Sequence, residues 1–189
     1  MGQQGQWDSR FENATEPGTP CTVLADNLHL LTKPAVALDL ACGLGANALL
    51  LAEQGLDTHA RDISTVALGK LQQFCSSRDL TITTQQQDIE QSSLEENRFD
   101  VIVISHFLYR PLCEKLIAAL KPGGLIFYQT FTTQKPADRG PSSEKFLLAP
   151  NELLSLFSPL RVVFYRENGK IGDNAAGDRY CAQFIGQKN

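Results

Sequence analysis

The stretch ALDLACGLGANALLLAEQG, residues 37–55, decides the fold of this chain. It begins with an apolar strand that carries Asp39 near its carboxyl end, and Gly43 and Gly45 follow in a short turn. Glycine permits backbone torsions and close approaches that a side chain would block. The apolar helix that starts at Ala46 exposes unpaired N–H groups in its first turn. A strand, an acid, a glycine turn and a helix in this order predict a nucleotide-sized pocket.

The glycine turn admits two kinds of nucleotide ligand. Gly43, Gly45 and Ala48 satisfy the dinucleotide fingerprint G-x-G-x-x-G/A, so the turn alone could hold a pyrophosphate. Asp39 precedes this turn, and its carboxylate would repel a pyrophosphate there. The same carboxylate suits a cofactor that carries an ammonium and a sulfonium group. The acid therefore favours S-adenosylmethionine over NAD.

The segment DLACGLG, residues 39–45, resembles the first motif of the class I S-adenosylmethionine-dependent methyltransferases, which runs acid-x-Gly-x-Gly-x-Gly. Ala41 stands in place of the first glycine and still leaves room for a close backbone approach. The resemblance implies a Rossmann-like fold, with S-adenosylmethionine as cofactor and S-adenosylhomocysteine as product. It also implies a cofactor site that includes Asp39, Ala41, Cys42, Gly43 and Gly45.

Composition and charge narrow the classes of partner. The net charge of −4 offers little attraction to a polyanion, so we do not expect nucleic acid to be a partner. No apolar run approaches the roughly 20 residues that span a bilayer, and the N-terminus lacks the features of a signal peptide. The five cysteines are scattered and never form a C-x-x-C pair, so no metal site is indicated. We predict a cytoplasmic protein with no membrane association, and no pattern specifies an oligomeric state.

From residue 36 onward, β-prone and helical runs alternate along the chain. This alternation predicts an α/β fold, a doubly wound and mostly parallel sheet with ligands at the carboxyl ends of its strands. The linker between the last two β-prone runs, Leu160–Arg166 and Arg179–Gly186, is too rich in Gly, Asn and Asp for a crossover helix. We therefore predict that these strands pair antiparallel. The family resemblance implies seven strands with one reversed C-terminal strand.

We predict a single domain over residues 1–189, because a chain of this length can bury one sizeable core. The α/β core is predicted at residues 35–189, and an N-terminal helical cap or lid at residues 1–34. Apolar residues at near-helical spacing precede Pro34 and indicate that the cap packs on the sheet.

Two acids follow the next strands. Asp62 ends the second predicted strand, where an acid accepts hydrogen bonds from ribose hydroxyls, and Ile63 follows it. Alternatively, Asp62 is a helix-capping acid before Ser64. Asp88 ends the third strand, where the family places a carboxylate or amide against the adenine amino group, with Ile89 beside the ring. The alternative for Asp88 is an ordinary turn acid.

Ser105 and His106 end the fourth strand, so they should face the crevice where the reacting methyl group lies. His106 is a candidate general base or a structural histidine, and Tyr109 is a second candidate for deprotonating an amine or hydroxyl. Asn47, at the start of the first core helix, could bond the carboxylate of the cofactor or cap the helix locally.

A narrower resemblance covers nearly the whole chain. WDSRF at residues 7–11, LKPGG at 120–124 and the segment NELL at 151–154 fall in the order found in the small bacterial methyltransferases similar to the tellurite-resistance (TehB-like) methyltransferase. The resemblance implies that Trp7 and Arg10 lie over the cofactor as part of a lid. The alternative is surface packing of the terminus.

The predicted function is methyl transfer to a small-molecule or oxyanion acceptor. The protein would mainly align the reactants and exclude water. A soft nucleophile such as a thiol needs little base assistance. Positive charge for an anionic acceptor could come from four residues on loops or strand ends, namely Arg110, Lys135, Arg139 and Arg166.

Three other functions remain open from the sequence. They are a non-catalytic module that binds S-adenosylmethionine, an NAD-dependent oxidoreductase and a macromolecular methyltransferase. The chain leaves little room for the second catalytic domain of an oxidoreductase. The Asn-Pro-Pro-Tyr motif of amino-methylating enzymes is absent after the fourth strand.

Overall fold

Strands and helices alternate along most of the chain. The computed structural model describes residues 2–136 and 139–189. Within these residues the strands are β1 (Val36–Leu40), β2 (Asp57–Asp62), β3 (Thr83–Gln86), β4 (Phe99–Ser105), β5 (Leu120–Phe131), β6 (Arg161–Arg166) and β7 (Cys181–Gln187). The α-helices are α1 (Gln3–Phe11), α2 (Thr22–Ala25), α3 (Ala46–Glu53), α4 (Thr65–Arg78), α5 (Cys113–Ala119) and α6 (Glu152–Leu156).

All seven strands join in one sheet with the order β3-β2-β1-β4-β5-β7-β6. Strands β1 to β5 pair in parallel, whereas β7 is antiparallel to both of its neighbours, β5 and β6. This topology confirms the predicted doubly wound sheet and its reversed C-terminal strand. The dinucleotide-binding order 3-2-1-4-5-6 lacks such an inserted antiparallel strand.

Both faces of the central strands are buried. Successive side chains of a strand point to opposite faces, so each central strand contributes to two apolar clusters. Val101 and Val103 of β4 pack in one apolar cluster with Phe127, and Ile102 and Ile104 pack in another on the opposite face. Helices and loops cover both sides, so a continuous apolar run such as β4 belongs at the centre of the sheet.

The segment before β1 is buried to different degrees along its length. Val23 and Leu24 of α2 are fully buried, and they belong to the same apolar cluster as Phe127 of β5. None of the residues of α1, by contrast, is buried. Helix α2 therefore packs on the sheet, whereas α1 lies at the surface.

Helix α5 leads into β5 without a loop, since α5 ends at Ala119 and β5 begins directly at Leu120. The register between β4 and β5 shifts between Phe99 and Val101, which accommodates the Pro-Gly-Gly segment within the strand.

In the part of the chain that the structure describes, no helix is both long enough and apolar enough to cross a membrane.

Candidate active site

A cavity of about 880 Å³ opens at the carboxyl ends of the parallel strands. Its walls come from the loops that follow β1, β2, β3 and β4, and one face of α1 lies across it. The size falls within the usual range for ligand sites. Among the residues predicted from sequence, those that line it are Trp7, Arg10, Ala41, Cys42, Gly43, Asn47, Asp62, Ile63, Asp88, Ile89, Ser105 and His106.

The glycine turn between β1 and α3 requires left-handed backbone at three positions. Ala41, Gly43 and Gly45 have φ angles of 55°, 53° and 81°. Alanine at the first of these positions is mildly strained, since a Cβ disfavours this region. Gly45 does not line the cavity. It faces α4 instead, where a Cβ would lie 2.4 Å from Cδ1 of Leu71. Gly45, at the third glycine position of the motif, is therefore needed for packing against Leu71.

Asp39 also lies behind the cavity wall instead of lining it. Its side chain is fully buried and accepts hydrogen bonds from the N–H of Ala48 at 3.0 Å and from Nδ2 of Asn47 at 3.5 Å. It thus holds the first turn of α3 against β1. Burial raises the pKa of the Asp39 carboxyl to about 7, although both hydrogen bonds oppose the shift.

The raised pKa of Asp39 predicts a pH dependence of stability. In the unfolded chain the carboxyl titrates near its ordinary value of 3.8, and in the folded protein it titrates near 7. The folded state therefore binds the proton more tightly, and the contribution of Asp39 to the free energy of unfolding falls as the pH rises from about 4 to 7. A shift of this size corresponds to at most about 4 kcal/mol. Urea unfolding at pH 5 and pH 8 should show a smaller decrease for Asp39→Asn than for the parent.

The control for this measurement is Asp26→Asn, which alters an exposed acid. It should keep the pH dependence of the parent. An Asp39→Asn variant that loses stability between pH 5 and 8 as steeply as the parent would show that Asp39 does not bind the proton.

Asp62 links the glycine turn to α4. One carboxylate oxygen accepts the N–H of Gly43 at 2.7 Å, and the other accepts the N–H of Ser64 at 2.9 Å. The N-cap of α4 is Ser64, as its position predicts, because its Oγ accepts the N–H of Ala67 at 3.1 Å. Asp62 lines the cavity, and its partial burial raises its pKa, although its backbone hydrogen bonds oppose the shift. Its remaining lone pairs are available to a ligand that brings hydroxyl donors.

Asp88 has the contacts of a turn acid and also lines the cavity. Its oxygens accept the N–H of Glu90 at 3.1 Å and Nε2 of Gln91 at 2.6 Å, which is the geometry of a turn acid. Asp88 nevertheless lines the cavity, and so do Ile89 and Glu90. We call Asp62, Asp88 and Glu90 the acidic side of the cavity.

Asn47 is engaged within the protein. Its Nδ2 donates to Oγ of Ser105 at 3.0 Å, and its Oδ1 accepts the N–H of Cys21 at 2.9 Å. The amide therefore joins α3, the end of β4 and the segment before α2. This arrangement fixes Ser105 at the cavity wall.

His106 follows β4 in a left-handed conformation with φ 55°, and its backbone N–H donates to the backbone carbonyl of Gln129 at 2.8 Å. The imidazole lines the cavity with its centroid 5.0 Å from that of the Phe131 ring. Burial lowers the pKa of His106, so the ring is neutral at pH 7 and can accept a proton.

Tyr109 is not brought to this cavity. It lines a separate depression of about 250 Å³ with Arg110 and Lys145.

An aromatic wall faces the acidic side. It consists of Phe107, Phe131 and Phe146, with Leu108 and Pro141 beside it. Sequence reasoning missed this wall, although two of its members directly follow or end a strand, where side chains project into the crevice. The acidic side follows the ends of β2 and β3. Phe107 and Phe131 of the wall lie at the ends of β4 and β5, and Phe146 comes from the segment between β5 and α6.

The basic residues expected around an anionic acceptor do not line the cavity. Arg110 forms an ion pair with Glu152, and Nζ of Lys135 donates to the carbonyls of Arg139 and Pro141. The Arg139 guanidinium lies 5.0 Å from the centroid of the Tyr180 ring. Arg166 likewise lies outside the lining residues, against the ring of Phe164. Among the described residues, Arg10 is the only arginine or lysine that lines the cavity.

Helix α1 covers the cavity through an aromatic stack. The rings of Trp7 and Phe11 lie parallel with centroids 6.0 Å apart, and the guanidinium of Arg10 lies 5.2 Å from the Trp7 centroid. Phe11 also covers the glycine turn, since its Cζ lies 3.2 Å from where a Cβ of Gly43 would be. The contribution of Phe11 was missed from the sequence.

Comparisons with known proteins agree with this geometry. A family described as "Methyltransferase domain" matches residues 37–124. A protein of Haemophilus influenzae designated "Probable S-adenosyl-L-methionine-dependent methyltransferase TehB" is 30% identical over 147 residues, which are 73% of this chain and 50% of that protein. The "Ubiquinone biosynthesis O-methyltransferase" of Coxiella burnetii is 32% identical over 98 residues, covering 49% of this chain and 42% of its own length. The match to the crystal structure of TehB from Haemophilus influenzae covers 97% of this chain and 67% of the TehB chain, with a TM-score of 0.77 at 21% identity.

The matched domain and the sequence identity to TehB place the chain in the class I S-adenosylmethionine-dependent methyltransferase family, and within that family it is TehB-like. The crystal structure of TehB shares its fold. The chain spans about half the length of the relatives it matches in sequence. The family cofactor, S-adenosylmethionine, fits the residues present, because the acidic side suits a cation with ribose hydroxyls and Gly43 keeps the wall free of a side chain.

Proposed function

We propose that this chain transfers the methyl group of S-adenosylmethionine to a small, largely apolar acceptor with one nucleophilic oxygen or sulfur. The observation that carries this proposal is the division of the cavity into an acidic side and an aromatic wall, with His106 beside the wall. An oxyanion acceptor has less support, because the basic side chains that would hold it are engaged elsewhere.

The acidic side and the glycine turn would hold the adenosyl part. Asp62 would accept the ribose hydroxyls, Asp88 would accept the adenine amino group, and Ile89 would lie beside the ring. When bound, S-adenosylmethionine supplies an electrophilic methyl group together with its leaving group. The work of the protein is then to align the acceptor and to exclude water, and both need a closed and shaped cavity.

The aromatic wall would seat the acceptor. Phe107, Phe131 and Phe146 offer apolar surface and ring faces to a planar or hydrocarbon group. His106, neutral at pH 7, would take the proton from an acceptor hydroxyl as it attacks. A thiol is already partly ionised near neutral pH and depends less on this base.

The proposal is tested by incubating the protein with S-adenosylmethionine and a panel of acceptors, and by measuring S-adenosylhomocysteine formed. The panel contains phenols, aromatic thiols, tellurite and selenite. We expect turnover with a phenol or a thiol to exceed turnover with either oxyanion. Turnover with the oxyanions alone would overturn the assignment of the acceptor. Binding of the cofactor without any turnover would favour the non-catalytic module.

Replacement of His106 by asparagine should separate base catalysis from binding. Asparagine tolerates the left-handed backbone of this position but cannot act as the base. We expect kcat with a hydroxyl acceptor to fall by about 100-fold or more, and turnover of a thiol to change by less than about threefold. The affinity for S-adenosylmethionine should stay within about twofold of the parent.

Tyr109→Phe tests the other residue that the sequence suggested as a base. The structure places Tyr109 outside the cavity, so its loss should leave the rate with hydroxyl acceptors unchanged. Equal rates for His106→Asn and the parent, combined with a large loss for Tyr109→Phe, would reverse the two assignments.

The NAD-dependent alternative has weaker support, since the antiparallel β7 inserted between β5 and β6 is foreign to the dinucleotide-binding sheet. Calorimetric titration with NAD and with S-adenosylmethionine discriminates between the oxidoreductase and the methyltransferase. For a macromolecular acceptor, the discriminating observation would be a stable complex with RNA or protein.

A further inference from the structure

Helix α1 forms part of the wall of the cavity. Gln3, Gln6, Trp7 and Arg10 line the cavity from one face of the helix. A helix of nine residues is marginally stable by itself, and none of its residues is buried. Its closed position therefore depends on a few identifiable contacts to the rest of the protein.

One of these contacts is a carboxylate on the side of α1 directed at α4. Oδ1 of Asp8 accepts the hydroxyl of Ser64 at 2.6 Å and the N–H of Val66 at 3.2 Å. The N-terminus of a helix favours such an acceptor, since its first N–H groups lack partners and carry partial positive charge. Asp8 thus attaches α1 to the first turn of α4.

The same turn belongs to the cofactor site. Ser64, which donates its hydroxyl to Asp8, also donates its N–H to Oδ1 of Asp62. The other oxygen of Asp62 accepts the N–H of Gly43, and Phe11 of α1 covers Gly43. The lid and the proposed ribose acceptor therefore share one continuous set of contacts.

The far end of the lid has a different attachment. Nζ of Lys70 on α4 donates to the carbonyls of Glu12 and Ala14, both at 2.6 Å. These contacts anchor the segment after α1 to α4. Loss of the Asp8 contacts would leave this anchor in place and free only the helix before it.

We propose that Asp8 is a positioning residue that latches α1 over the bound cofactor through Ser64 and Val66. The proposal rests on the cofactor site described under the proposed function. The latch slows release of the cofactor and holds the cavity closed during methyl transfer. Asp8 does not line the cavity, so its effect is exerted through the lid.

Trp7, the only tryptophan of the chain, reports the position of the lid directly. Acrylamide quenching of its fluorescence is measured in the free protein, so this readout does not depend on methyl transfer. We expect Asp8→Ala to raise the quenching of Trp7 in the free protein. The dissociation rate of S-adenosylmethionine should rise by about five- to tenfold.

A second variant, Asp8→Asn, separates the latch from a through-space charge. Its amide oxygen can still accept hydrogen bonds from Ser64 and Val66 but lacks the charge, so a latch predicts quenching and release between those of Asp8→Ala and the parent. Asp8→Asn as impaired as Asp8→Ala would overturn the latch in favour of a simple charge effect. Unchanged Trp7 quenching in Asp8→Ala would also overturn it.

Glu12→Ala is the matched control, since it removes a negative charge from the same segment. The side chain of Glu12 is exposed, and Lys70 contacts only its backbone carbonyl. It should behave like the parent in both measurements. If the parent itself does not bind S-adenosylmethionine, the proposed cofactor site is at fault, whereas the quenching comparison still decides whether Asp8 holds the lid.

Discussion

Valine at position 43 is expected to abolish detectable binding of S-adenosylmethionine while the chain stays folded. Gly43 lines the cavity with φ 53°, and a side chain there would enter the cofactor site and displace Phe11. The backbone strain is of the order of 1–2 kcal/mol, which a domain of ordinary stability tolerates. Calorimetry should give no heat of binding, and circular dichroism should keep the spectrum of the parent.

The same substitution two residues later should have the opposite outcome. A Cβ at Gly45 would lie 2.4 Å from Cδ1 of Leu71, which is fully buried, and the φ of 81° adds strain. We expect Gly45→Val to lose about 3–5 kcal/mol of the free energy of unfolding, enough to unfold much of the protein. Urea unfolding of the two variants side by side is the measurement. A Gly43→Val protein that binds the cofactor normally would place the site elsewhere.

Replacement of Asp62 by alanine is expected to weaken binding of S-adenosylmethionine by about 100-fold. Hydrogen bonds to a charged group contribute about 1.5–3 kcal/mol each, and a 100-fold change corresponds to about 2.7 kcal/mol. The variant also loses the acceptor for the N–H of Gly43, which loosens the glycine turn. The expected loss is therefore larger than ribose contact alone would give.

Asp62→Asn should fall between alanine and the parent, because it keeps one acceptor but not the charge. The control is Asp57→Ala, which removes an exposed acid from the other end of β2. The measurement is calorimetric titration at low salt, where the electrostatic contribution is greatest. An unchanged dissociation constant for Asp62→Ala would remove Asp62 from the cofactor site.

Much of the fold was predictable because local patterns carry it. The apolar run of β4 predicts a strand buried on both faces, and Ser64 predicts the start of α4. The reversed β7 followed from a linker unsuited to a crossover helix and from the family resemblance. Local pattern does not indicate that β5 begins at Leu120, because that start depends on pairing with Phe99 of β4.

The site was predictable at strand ends and less so where distant segments meet. Asp62 and Asp88 line the cavity because parallel strands end at one edge of the sheet. Nothing local in the sequence shows that Asp39 and Gly45 lie behind the wall, since that depends on Leu71 and Asn47. Local sequence also does not show that Arg110 forms an ion pair with Glu152 outside the cavity, because the two residues lie 42 positions apart in the chain.

The position of β7 has a consequence for the order of folding. Among the described strands, β6 pairs with β7 alone, and β7 follows it in the chain. During synthesis on the ribosome, β6 therefore remains unpaired and the outer edge of β5 stays open until residues 181–187 have emerged. Contacts between such distant segments slow folding, so the nascent chain carries an open sheet edge from the completion of β5 until β7 is made. Chaperone dependence during expression is the expected result of this strand order.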